Sequence, residues 1–219
     1  MKLIDVKNNI HQKLYEKLDK RIKEFRPSQE KSIKHGLLEG ENLLVCTPTA
    51  SGKTLIAELA MLNCIYDEKG KAIYIVPLKA LASEKYKEFK ERYTDVKIAL
   101  SIGDNDAVDS HLEKYDLIIT TSEKLDSLMR HHAPWLRFVK CVIIDEIHLL
   151  NDTSRGPTLE IIITLLQMLL KNMQLIGLSA TIGNPVDLAS WLNAKLVEDD
   201  WRPVELHKGV YLDGEIEFF

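Results

Sequence analysis

Cysteine is scarce in this chain of 219 residues, and the three present, Cys46, Cys64 and Cys141, form no Cys-x-x-Cys pair. An odd number without metal-ligand spacing excludes a disulfide framework and a zinc site, so they read as small apolar residues. No apolar run reaches the length needed to cross a bilayer. The start, Met1-Lys2-Leu3-Ile4-Asp5, lacks the basic, apolar and small-residue order of a secretory signal, which points to an intracellular, cytoplasmic protein. An excess of one charge is missing too. Lysine and arginine total 29 against 33 acids, a net charge of −4, so any nucleic-acid contact has to be local rather than a property of the whole surface. Internal repeats, low-complexity tracts and Gly/Ser linkers are also absent. With 45% hydrophobic and 28% charged residues, one folded domain is expected.

What is present is an alternation of two periodicities. Ile10, Leu14, Leu18 and Ile22 recur at helical spacing, with Lys13, Lys17, Lys20 and Arg21 on a face read as solvated. Pro27 ends that helix and opens a second one reaching about His35. Short β-rich runs then follow at Leu43 to Cys46, Ala72 to Val76, Val96 to Leu100, Leu117 to Thr120, Cys141 to Ile144 and Leu175 to Leu178. Between them lie helical stretches from Lys53 to Tyr66, Leu81 to Arg92, Glu123 to Arg130 and Thr158 to Lys171. Apolar strands without polar alternation suit a sheet covered on both faces, so the fold expected is α/β, doubly wound and mainly parallel, with ligands at the strands' carboxyl ends.

The segment after the first strand carries the strongest chemical signal. Gly52-Lys53-Thr54 stands where a strand turns into a helix, the setting in which backbone amides and a helix N-terminus cradle phosphates. Lys53 reaches the outer phosphates as a point charge, and the Thr54 hydroxyl is offered to Mg. Thr47 stands where the general phosphate-loop pattern has its first glycine, and an ordinary helix start is the competing interpretation. Asp145-Glu146-Ile147-His148 follows the apolar run Cys141 to Ile144, a costly place for two carboxylates unless they are used. Asp145 is assigned to the metal and Glu146 to the base that accepts a proton from the attacking water. A helix N-terminus that favours acids is the plainer alternative.

Pro48-Thr49-Ala50-Ser51-Gly52-Lys53-Thr54, Asp145-Glu146-Ile147-His148 and Ser179-Ala180-Thr181 together resemble motifs I, II and III of the superfamily 2 DExH-box helicases, whose phosphate loop dispenses with the first glycine. Pro77 to Ala82, Arg155-Gly156-Pro157-Thr158-Leu159-Glu160 and Asp200-Trp201-Arg202-Pro203-Val204 narrow the resemblance to the first RecA-like lobe of the archaeal Hjm-type DNA helicases, relatives of the polymerase-theta helicase.

The resemblance implies a P-loop NTPase lobe using ATP and Mg. It implies an ATP-dependent helicase running 3′ to 5′ on single-stranded or forked DNA in repair or replication restart, with RNA left open. It adds His148 to the catalytic set and makes Phe25, Arg26 and Gln29 an adenine-recognition motif. Pro77, Lys79, Ala80, Gly103, Asp104, Thr121, Ser122 and Lys124 become nucleic-acid contacts, with helix capping as the alternative for Ser122 and its neighbours. Ser179 and Thr181 become relays between nucleotide and nucleic acid.

Residues 1–36 are then helices belonging to the lobe, 37–211 the ATP-binding core, and 212–219 the start of a linker to a second RecA-like lobe that supplies the arginine finger. The chain is expected to be a monomer that hydrolyses ATP weakly alone. Two other classes compete: a P-loop phosphotransferase acting on a small molecule, and a non-catalytic nucleotide- or nucleic-acid-binding module.

Overall fold

A computed structural model describes residues 1–103, 110–205, 207, 209–212 and 214–218. Its centre is a seven-stranded sheet built from β1 (Leu43–Cys46), β2 (Lys71–Val76), β3 (Ile98–Ser101), β4 (Leu117–Thr121), β5 (Val139–Ile144), β6 (Gln174–Ser179) and β7 (Lys195–Glu198). The order across the sheet is β3-β4-β2-β5-β6-β1-β7, and every neighbouring pair runs parallel. Strand alternation sorts the core into two layers. Leu43, Val45, Tyr74, Ile119, Ile143 and Leu178 face one side, while Leu44, Ile73, Ile118, Val142, Ile144 and Leu175 face the other.

The first layer is covered by α1 (Gln12–Asp19), α2 (Pro27–Lys34), α3 (Lys53–Tyr66) and α4 (Lys79–Arg92), the second by α5 (Ser122–Arg130), α6 (Gly156–Leu169) and α7 (Pro185–Trp191). Helix α3 is buried continuously from Leu55 to Cys64 because α1 and α2 pack on its outer side, which is why its sequence is apolar nearly all round. Glu58, in the middle of it, is fully buried and paired with Arg21 at 3.0 Å and Arg92 at 2.6 Å. The face of α1 expected to be solvated is therefore partly engaged: Arg21 donates to Glu58 and to the Tyr93 hydroxyl, and Lys17 pairs with Asp95 at 2.9 Å. A charge buried on α3 needs partners, and the end of α1 supplies one.

Four strands and helices lie outside the expected set. Strand β7 was missed because its Lys-Leu-Val-Glu alternation belongs to a half-exposed edge rather than to a covered strand. Helix α7 is only one face deep, with Ala189 buried. β8 (Gly209–Leu212) and β9 (Glu215–Phe218) pair antiparallel as an exposed hairpin at the place where a linker was expected to begin. Among the described residues, no helix is long and apolar enough to cross a membrane.

Candidate nucleotide site and nucleic-acid face

The sheet order brings the carboxyl ends of β1, β5 and β6 side by side, and with them the three motifs. After β1 the chain rises through Thr47 and Pro48, both buried, and turns at Ala50 (φ 66°) and Gly52 (φ 99°) into α3. Left-handed backbone at Ala50 is uncommon for a residue with a Cβ and marks a loop held by its surroundings. The grip is visible. Arg26 Nη1 donates to Ala50 O at 2.7 Å, Gln29 Nε2 donates to Gly52 O at 3.1 Å, and the Thr47 and Ser51 hydroxyls share a hydrogen bond at 2.8 Å. Gly52 is required twice over, since a Cβ there would stand 2.4 Å from Gln29 Nε2 in addition to the positive φ.

Lys53 lies across the loop and donates to the Thr47 and Pro48 carbonyls at 2.8 and 3.1 Å. Burial lowers its pKa, while Glu146 and Asp145 act in the opposite direction. A desolvated ammonium facing carboxylates and resting on carbonyls is poised for an anion with more charge than those carbonyls carry. The Thr54 hydroxyl accepts from Lys85 Nζ of α4 at 3.3 Å.

Asp145 is anchored at both oxygens: the Tyr74 hydroxyl donates to Oδ2 at 2.8 Å and the Glu146 amide donates to Oδ1 at 3.0 Å. Tyr74 sits in the middle of β2, fully buried, and its own ionisation is pushed well up, by burial first and then by the Asp145 charge. Each carboxylate oxygen keeps lone-pair capacity for a hydrated cation. Glu146 is held at φ 53°, directing a half-buried carboxylate away from the strand line, with His148 Nδ1 3.4 Å from its Oε2. Ser179 ends β6, its carbonyl accepting from Thr47 N at 3.2 Å and its hydroxyl buried with no hydrogen-bond partner among the described residues, whereas Thr181 is exposed.

Two expectations about the base-binding motif change. Phe25 is buried in the core beside α1 rather than open to a base. Gln29 is 4% exposed and spends one N–H on Gly52 and one lone pair on the Arg26 amide at 2.9 Å, so it clamps the loop and keeps only one donor and one acceptor for a ligand edge.

The candidate nucleic-acid residues divide likewise. Leu78, Lys79 and Ala80 are exposed where α4 begins, no side chain caps that helix, and Pro77 is half-buried. Gly103 is half-buried with φ 108°. Thr121, Ser122 and Lys124 are buried, and the Thr121 hydroxyl caps α5 by accepting from Lys124 N at 3.5 Å, so these three present no side chain to solvent. Asp104 lies outside the described residues. Three residues not foreseen join the set: Tyr74 behind Asp145, Lys85 on Thr54, and Arg155, which shares a small cleft with Pro77, Ser122, Asp145 and Glu146. Only Arg155 had a signal in the sequence, through the motif that contains it.

This arrangement defines a RecA-like phosphate-binding lobe, and the chain belongs to the DEAD/DEAH box helicase family, whose model matches residues 26–188. It is 56% identical over 208 residues to the ATP-dependent DNA helicase Hel308 of Pyrococcus abyssi and 58% identical over 205 residues to that of Methanocaldococcus jannaschii. These alignments cover 94% and 90% of this chain but 29% and 17% of those relatives, so the chain spans less than a third of their length. Among solved structures it resembles the DUF1998 helicase MrfA bound to DNA and AMPPNP, with TM-score 0.75, 29% identity, and coverage of 88% of this chain and 29% of that one. The chain is thus a helicase domain homologous to the Hel308 helicases, and neither the phosphotransferase nor the non-catalytic alternative is favoured.

Proposed function

We propose that this chain is the first RecA-like motor lobe of a longer ATP-dependent DNA helicase, binding ATP with Mg at the ends of β1, β5 and β6 and single-stranded or forked DNA across the exposed start of α4. The observation that carries the reading is the convergence of Lys53, the anchored Asp145 and the left-handed Glu146 on one rim of the sheet. Two protein oxygens, from Thr54 and Asp145, suit Mg, which keeps several waters and takes the rest of its shell from phosphates. Thr54 and Asp145 would hold the metal, which would supply neutralising charge to the phosphates, and Lys53 would hold those phosphates. Glu146 accepts the proton of the water whose oxygen bonds to the γ-phosphorus as the bond to ADP breaks, and His148 orients Glu146. Ser179 and Thr181 relay the nucleotide state towards the DNA face.

DNA contact through the α4 start rests on open helix amides and Lys79, which grip phosphates without reading bases, as a translocating motor requires. The MrfA structures solved with DNA, and the name DNA helicase carried by the relatives, support DNA as the polymer. We place residues 212–219 at the start of the connection to a second lobe bearing an arginine finger, and the lobe itself as a cytoplasmic monomer. Without that arginine, transition-state charge is left short by orders of magnitude in rate. The test is steady-state ATP turnover with and without single-stranded DNA for this chain, Lys53→Ala and Glu146→Gln. Slow turnover that both substitutions abolish, with no strand separation by this chain alone, is expected; equal rates in all three proteins overturn the assignment.

A further inference from the structure

Beyond β7 the chain doubles back over the start of α2. Lys31 holds this return at two points, donating to Glu198 O and pairing with Asp199 Oδ2, both at 2.8 Å, while Asp199 Oδ1 accepts from the Trp201 amide at 2.8 Å. Asp199 is nearly buried by this, with 8% of its side chain exposed. The backbone at Trp201 is thereby tied to α2, and the indole's ring centroid lies 5.5 Å from the Arg26 guanidinium carbon. Arg26 is the same residue that donates to Ala50 O in the phosphate loop. Indole, guanidinium and phosphate loop therefore form one connected unit, although they come from three separate stretches of sequence.

Trp201 belongs to neither core layer and remains 37% exposed, so it is not kept in place for burial. An indole within cation–π distance of a guanidinium and still partly exposed offers a π surface of the kind a purine stacks on. The aromatic residue expected to do this, Phe25, is committed to the core. Gln29, on the neighbouring α2 turn, keeps one N–H and one lone pair beyond those it gives to Gly52 and Arg26. Arg202 extends the strap towards the phosphates, lying close enough to Lys53 to oppose its protonation.

We propose that Trp201 is the aromatic wall of the adenine site, receiving the purine ring at the Arg26 stack. This rests on the ATP-binding reading above and names a base-contacting residue outside its expected adenine motif. Because the contact is to the base alone, it separates from phosphate binding. Calorimetric titration of this chain, Trp201→Ala and Trp201→Phe with Mg-ADP and with Mg-tripolyphosphate tests it. Trp201→Ala should weaken ADP about tenfold and leave tripolyphosphate unchanged, Trp201→Phe should stay within about twofold of the parent, and the ADP-induced change in tryptophan emission should vanish in both variants. Unchanged ADP affinity in Trp201→Ala, or equal weakening of both ligands, overturns the role of Trp201 while leaving ATP binding intact. Failure of the unsubstituted chain to bind either ligand overturns the ATP-binding reading and this one with it.

Discussion

The two halves of the sheet's working rim are built on different plans. On the β1, β5 and β6 side, polar groups are tied across long stretches of chain: Arg26 and Gln29 to the phosphate loop, Tyr74 to Asp145, the Thr47 amide to the Ser179 carbonyl. On the β3, β4 and β2 side, by contrast, Thr121, Ser122 and Lys124 are absorbed into a helix cap, and what faces solvent is the uncapped start of α4 with Lys79. The first half is organised before its ligand arrives, at the cost of left-handed backbone and a desolvated lysine. The second half offers helix amides and the exposed Lys79. A site that must place a γ-phosphate needs the first plan; a surface that must let a strand slide past needs the second.

Substitutions that strike the organised half should therefore have large effects confined to nucleotide. Lys53→Ala removes the only ammonium lying across the phosphate loop among the described residues, and should reduce Mg-ATP affinity by about two orders of magnitude or more, given the desolvated setting. The nucleotide-induced rise in melting temperature would disappear, and a rise equal to the parent's would break the comparison. Gly52→Ala comes next. It forces a Cβ into left-handed backbone and against Gln29, so stability should fall by about 1–3 kcal/mol, read from the urea midpoint, with ADP affinity falling too. A neutral Gly52→Ala would mean that the loop is less tightly clamped than its bonds indicate.

How much of this was legible in the sequence follows the same division. Phosphate chemistry demands particular residue types in contiguous stretches, so Gly52, Lys53, Thr54, Asp145 and Glu146 announced themselves, and the covered strands made the parallel sheet readable. The partners of those residues were not readable. Tyr74 meets Asp145 only because β2 pairs with β5, and Lys85 meets Thr54 only because α4 packs on the same face as α3; neither adjacency has a local signature. Phe25 shows the opposite case: an aromatic next to Arg26 looked available for stacking, but it is buried in the core layer. The buried cap at Thr121 was one of two readings of the same hydroxyls, and only packing separates them.

Tyr74→Phe tests the hidden support of the organised half. It keeps the ring in place and removes a donor from a carboxylate, so a loss of about 1–2 kcal/mol in stability is expected, seen as a drop of a few degrees in melting temperature. The more telling readout is Mg. If the hydroxyl positions Asp145, the Mg concentration needed for half-maximal ADP binding should rise several-fold while tripolyphosphate binding without Mg stays constant. A stability loss with no change in Mg demand would reduce Tyr74 to a core residue.

The smallest effect should come from the other half. Lys79 stands exposed at the first turn of α4, where its charge adds to amides already pointing outward, so it is one phosphate contact among several. Lys79→Ala should weaken single-stranded DNA only a few-fold at moderate salt, and the slope of log affinity against log salt should become shallower by about 0.7, the value of one released counterion on a single strand. Base composition of the strand should not alter the loss, because a phosphate contact carries no sequence information. ADP affinity should remain that of the parent, since Lys79 stands at the exposed start of α4, in the other half of the rim. A change in ADP affinity as large as that in DNA affinity would show that the two halves are mechanically joined through α4 in the isolated lobe, with Lys85 on Thr54 as the physical link.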